Sequence, residues 1–128
     1  ITTYQTYKEF AVPHIHTQNG HHDSTVTACV IRTDTAEPRM LLHMHKKLHT
    51  LLPVGGHVEL DEPPWQSIAH ELAEESGYTL SDVKILQPHT RIKRLSGVAL
   101  HPYPVVMNTH AVSQEHFHSD TMYAFVAT

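Results

Sequence analysis

Apolar residues at Trp65, Ile68, Ala69 and Leu72 recur at i, i+3, i+4 and i+7, which predicts one amphipathic helix with a stripe facing a core. Pro63 and Pro64 suit its start, because the first helical position needs no N–H and favours a fixed φ. Asp61 and Glu62 lie beside the positive end of its dipole, and Gly77 is placed as its C-terminal stop. The rest of the chain has a β character. Val26–Arg32 is a β-branched apolar run that reads as a buried strand, and Asp34–Pro38 reads as a turn. Arg39–His45 reads as the second strand of a hairpin, followed by a polar loop over Lys46–Thr50. Further strands are predicted at Leu80–Gln87, Tyr103–Val112 and His116–Ala127, the last with Phe117, Tyr123 and Phe125 on one face. Ile1–Asp23 is polar and reads as a short strand or helix fragment running into a loop.

The polar face of the helix is unusual. Glu71, Glu74 and Glu75 stand at i, i+3 and i+4, so their carboxylates share one arc beside the apolar stripe. They occupy the last two turns, where the dipole disfavours anions by ~0.3–1 kcal/mol each. Like charges at this spacing repel by a further ~0.2–0.5 kcal/mol per pair, and the helix carries no Lys or Arg to compensate. Such a face either points at water or brings a cation to it. Hard oxygen donors packed this closely suit Mg²⁺ or Mn²⁺ rather than zinc.

The surrounding residues decide between these alternatives. Gly56, Glu62, Glu71, Leu72, Glu74, Glu75, Gly77 and Tyr78 follow one another at the spacing of the Nudix box, and the segment resembles that family. His70 is the departure, standing where the family carries arginine. The resemblance implies an α/β fold, an α/β/α sandwich around a mixed sheet, for a single domain spanning 1–128. The family continues with a further strand and a C-terminal helix over the second face of the sheet, whereas this sequence stops at Thr128. Three readings follow: further residues absent from this sequence, cover from the N-terminal segment, or a partner subunit, as in a homodimer.

By the same resemblance, Glu71, Glu74 and Glu75 hold divalent metal, Mg²⁺ or Mn²⁺, with the Gly55 carbonyl. The reaction implied is attack of water on one phosphorus of a nucleoside diphosphate linked to another moiety, or of a nucleoside triphosphate. Gly55 and Gly56 are read as glycines that allow close backbone approach and a positive φ. Glu59 and Glu62 are read as braces for the loop. The general base is a box glutamate, Glu74 or Glu75, or a later acid, of which Glu115 is the best placed in sequence, with His116 and Asp120 behind it. Arg32, with Lys46, Lys47, Arg91, Lys93 and Arg94 on flanking loops, supplies donors for the nucleotide. Histidine at position 70 is shorter than arginine and often neutral near pH 7, and its spacing allows a bond to Glu74 at i+4. Two alternatives stand beside hydrolysis: a module that binds a nucleotide without cleaving it, and an isomerase of isoprenoid diphosphates that would need Cys29. The intact glutamate set opposes the first, and the core-like setting of Cys29 opposes the second.

Composition narrows the setting. The 128 residues are 40% hydrophobic and 17% charged, enough for one sizeable core. A net charge of −4 without a basic run argues against nucleic acid as a partner. The single cysteine, Cys29, cannot make an internal disulfide, which favours a reducing, cytoplasmic location. No apolar stretch approaches the ~20 residues of a membrane span, so no membrane partner is expected. Fourteen histidines are scattered from His14 to His118. His43, His45 and His49, or His116, His118 and Asp120, would supply part of a zinc site, but a second recognisable element is missing. Most of these histidines are therefore read as surface side chains or ones satisfied by neighbours.

Overall fold

The computed structural model describes residues 20–113 and 115–127. Most of the expected N-terminal element, 1–23, lies outside them. The described chain forms β1 (His22–Arg32), β2 (Arg39–Met40), β3 (His43–His45), β4 (Thr50–Leu52), β5 (Val54–His57), α1 (Pro64–Ser76), β6 (Val83–Ile85), β7 (Val106–Ser113) and β8 (His116–Ala127).

Two long strands carry the architecture. β1 and β8 run parallel over their whole shared length, from His22 opposite Phe117 to Arg32 opposite Ala127. β2 and β5 pair antiparallel with β1, and β6 and β7 pair antiparallel with β8, giving a mixed six-stranded sheet. β3 and β4 form a separate two-stranded ribbon.

Helix α1 lies on one face of the sheet. Ile68 and Leu72 are fully buried there against Val26, Ala28, Val30 and Val54, with Tyr123 and Phe125 completing the cluster. Burying a Leu- or Ile-sized side chain contributes about 1.5–3 kcal/mol. The indole of Trp65 packs edge-on to Tyr123 at 5.3 Å and stacks on Phe125 at 6.2 Å. The prolines do start the helix: Pro63 is the N-cap, extended at φ −78° and ψ 163°. Gly77 closes it in the left-handed region at φ 80°, donating its N–H to the Ala73 carbonyl at 3.0 Å.

Several boundaries differ from the sequence reading. β1 begins at His22 rather than Val26, because its polar first half is paired with β8 and presents Asp23 and Thr25, both buried, to the face away from α1. Arg39–His45 is two short strands with different partners. The expected strand at Leu80–Gln87 shortens to β6, its start taken by a turn in which Asp82 accepts the Thr79 N–H. The strand expected at Tyr103–Val112 is shifted to β7. Phe117 shares the parity of Tyr123 and Phe125 but lies beyond the core, stacked on His22 at 4.9 Å. Gly55 and Gly56 are not among the glycines with positive φ, so the freedom expected of them there is not what the backbone uses. Among the described residues no helix is long and apolar enough to cross a membrane.

Candidate functional site

α1 and β5 build the site together. Gly56 pairs with Val26 on the helix side of the sheet, and the Glu71 carboxylate sits against it. A Cβ at position 56 would overlap that carboxylate, so the missing side chain is what makes room for the acid. Glu71 is thereby buried, at 5% exposure. Gly55 answers to a different neighbour: a Cβ there would run into the Val26 carbonyl of β1. Its N–H donates to Glu75 Oε1 at 2.9 Å, and Glu75 Oε2 stands 3.3 Å from His43 Nε2. Glu74 is half-buried one turn along from His70.

Three carboxylates thus share one helix face, two of them held to the adjoining glycine strand. A buried acid costs several kcal/mol to keep charged unless a cation or hydrogen bonds offset it. No basic residue occupies the last turn of α1. The all-oxygen donor set, with room made by Gly56, fits a hard divalent cation. Gly55 takes part through its N–H to Glu75, beside the carbonyl expected to serve as a ligand.

Glu62 and His70 form a second layer. Glu62 Oε1 accepts the Ser67 hydroxyl at 2.6 Å, and Glu62 Oε2 pairs with His70 Nδ1 at 2.8 Å. The expected partner of His70 was Glu74. Its ring instead turns back toward the N-terminal turn of α1, where the shorter side chain meets a nearly buried carboxylate. Glu59 shares the same loop, its carbonyl accepting the Glu62 N–H at 3.4 Å.

The later acids are not brought to this face. Glu115 is exposed, and its carbonyl accepts the Gly20 N–H at 2.6 Å. Gly55 pairs with Thr27, whereas Glu115 adjoins the start of the β1–β8 ladder at His22. At ~3.3 Å per residue this sets Glu115 about 20 Å along the sheet from the box glutamates. It is therefore not positioned as their base. Asp120 is buried on the face away from α1, accepting the hydroxyls of Thr25 at 2.8 Å and Thr27 at 3.0 Å.

Arg32 ends β1 beside a cleft of about 200 Å³ lined by Val30, Arg39, Met40, Leu41, Tyr78 and Ala127. Its guanidinium grips Asp34 with two bonds, at 3.0 and 2.8 Å. That hydrogen bonding holds the Asp34 carboxyl below its ordinary range and raises the Arg32 guanidinium above its own. The cleft adjoins the C-terminal end of α1, since Tyr78 follows Gly77 directly. Lys46 and Lys47 lie in the β3–β4 turn, and Arg91, Lys93 and Arg94 in the loop between β6 and β7.

The face away from α1 gives His116 and His118 partners that sequence reading missed. His116 and His118, two residues apart on β8, meet Asp23 of β1 and His57 of β5. Asp120, the acid expected to join them, bonds the two threonines instead. A β1 beginning at His22 would have been the signal, since it puts Asp23 level with His118.

Comparison with known proteins agrees with the geometry. The model of the NUDIX domain matches residues 21–124. A solved hydrolase of the NUDIX family from Clostridium perfringens shares 32% identity, covering 87% of this chain and 71% of that one, with a TM-score of 0.64. An Ap4A hydrolase of C. elegans has a TM-score of 0.63 at 17% identity, covering 84% of this chain and 69% of that one, a likeness of fold. No curated protein matches. The helix that seats its glutamates over a pair of glycines is thus the Nudix box in three dimensions, and the chain belongs to the Nudix family of pyrophosphate hydrolases.

Proposed function

We propose that this chain hydrolyses the pyrophosphate linkage of a nucleoside diphosphate joined to another moiety, or of a nucleoside triphosphate, with Mg²⁺ or Mn²⁺ as cofactor. The observation that carries the reading is the seating of Glu71 in the space left by Gly56, with Glu75 tied to the Gly55 N–H. Glu71, Glu74, Glu75 and the Gly55 carbonyl would hold the metal, which when bound offsets charge on the diphosphate and favours ionisation of water.

The chain's own groups do the rest. Glu74 makes no hydrogen bond or ion pair among the described residues, which leaves its carboxylate able to take the proton of the attacking water. The new O–P bond forms as the anhydride P–O bond breaks, and the second phosphate leaves with the bridging oxygen. Glu75, held by Gly55 and facing His43, keeps its place during the reaction. Glu62 and His70 fix the first turns of α1 and so the aim of the helix. The cleft beside Arg32, Arg39 and Tyr78 receives the group beyond the diphosphate, with Arg32 exchanging Asp34 for a phosphate oxygen.

The test is turnover of a panel of nucleoside diphosphate-sugars, dinucleoside polyphosphates and nucleoside triphosphates with Mg²⁺, scored for phosphorylated products. Glu75→Gln should lower kcat on the best substrate by about 10²-fold or more, equivalent to ~2.7 kcal/mol of transition-state stabilisation. Turnover by Glu75→Gln at the parent rate would remove the helix face from the chemistry.

A further inference from the structure

The face of the sheet opposite α1 gathers imidazoles around one buried carboxylate. Asp23 has a fully buried side chain in the first half of β1. His116 Nε2 lies 2.9 Å from its Oδ2, His57 Nε2 3.1 Å, and His118 Nε2 3.7 Å. The rings stand edge-to-face, His57 to His118 at 5.1 Å and His116 to His118 at 5.6 Å, so their nitrogens converge instead of stacking past one another.

The backbone explains the convergence. Asp23 pairs directly with His118 in the parallel ladder, and His116 is two residues earlier on the same face. His57 pairs with Thr25, two residues beyond Asp23, and reaches the group from the other side of β1. None of these residues is in the Nudix box glutamate set. Gly55 pairs with Thr27, four residues along β1 from Asp23, so ~13 Å and the thickness of the sheet separate the two groups.

We infer that Asp23, His116 and His118 form a second metal site, selective for a zinc-class ion, with His57 as the residue that positions Asp23. Ligand atoms of the three groups all lie within 4.8 Å of one another. With metal–nitrogen and metal–oxygen bonds of ~2.0–2.1 Å, neighbouring ligands of a tetrahedral ion stand ~3.3 Å apart. The 2.9 and 3.7 Å separations from Asp23 fall on either side of that value. Two imidazoles and one carboxylate are donors for zinc, whereas the oxygen set on α1 suits Mg²⁺. An ionised carboxylate only accepts hydrogen bonds, so the N–H of His57 donates to Asp23 and fixes its orientation, as outer partners of metal ligands do. The ion would join β1 to β8 and, through His57, to β5, closing one end of the sheet.

The test uses the full metal-free chain in excess Mg²⁺, so that the carboxylates of α1 are already satisfied. Zn²⁺ is titrated by calorimetry, and Co²⁺ by visible absorption. The expected result is one equivalent of each, with the intense bands of tetrahedral cobalt, and a thermal midpoint raised by Zn²⁺ through mass action on the folded state. Glu75→Gln should keep the equivalent. His118→Ala should bind at least tenfold more weakly, and His57→Ala about tenfold more weakly with the cobalt bands retained. Absence of a bound equivalent in the parent chain overturns the site, and that measurement needs no variant to fold. An equivalent lost in Glu75→Gln and kept in His118→Ala also overturns it, since the ion would then sit on α1.

Discussion

The two faces of this sheet solve the same electrostatic problem with different chemistry. On the α1 side, Glu71 and Glu75 are backed by glycines, and His43 touches the outer oxygen of Glu75. On the other side, one carboxylate, Asp23, is surrounded by imidazoles and no backbone glycine opens space for it. The first arrangement gathers three carboxylates on one helix face, a donor set for a hard cation. The second sets imidazoles around a single carboxylate, with nitrogen donors converging on it. A reacting site needs oxygen donors aimed at metal and substrate, whereas a structural clamp needs only to hold its strands together.

This contrast is sharpest at the two glycines. Gly56→Ala places a methyl against the Glu71 carboxylate, the mobile end of a flexible side chain. The fold should tolerate it within about 1 kcal/mol, while displacement of the carboxylate lowers turnover by about tenfold or more. Gly55→Ala instead meets the Val26 carbonyl, which cannot rotate away, and should destabilise the protein by about 1–3 kcal/mol. Urea unfolding beside Mg²⁺-dependent turnover separates the two. If Gly56→Ala lost stability and kept its rate, the seat of Glu71 would be a packing feature and the comparison of faces would fail.

A smaller effect is expected at His70. Its Nδ1 stands 2.8 Å from Glu62 Oε2, and half of His70 is open to solvent, which weakens the pair. Arginine keeps its charge at every working pH. His70→Arg should therefore raise turnover by about two- to fivefold, the scale of one strengthened charge-assisted bond. Equal turnover by the two proteins would make His70 a bystander. The smallest effect belongs to Arg32, exposed and already paired with Asp34. Arg32→Gln should raise KM for the best substrate by a few-fold, about 0.5–1 kcal/mol, with kcat unchanged. An unchanged KM would detach the cleft from the substrate.

How far each face was legible follows from how it is assembled. Glu71, Glu74 and Glu75 lie within one helix, where the 3.6-residue period alone puts them on a common arc. Pro63, Pro64 and Gly77 mark the helix ends by φ restriction and φ freedom, both local properties. The Ile68–Leu72 stripe likewise predicts burial before any partner is known. Those features were determined by the sequence itself, because the interacting groups are neighbours along the chain. The box spacing also carried the family and, with it, the fold.

Tertiary structure decided the rest. That Gly56 makes room for Glu71, and Gly55 for the Val26 carbonyl, depends on which strand β5 joins and in what register. That His70 turns to Glu62 rather than Glu74 depends on how the loop before α1 folds back. Glu115 was a reasonable base by its place in the sequence, and the parallel pairing of β1 with β8 carried it to the far end of the sheet. The same pairing brought Asp23 within reach of His116 and His118, 93 and 95 positions away in the chain. Residues that distant meet only through strand register, which a one-residue slip would undo by turning every side chain to the opposite face.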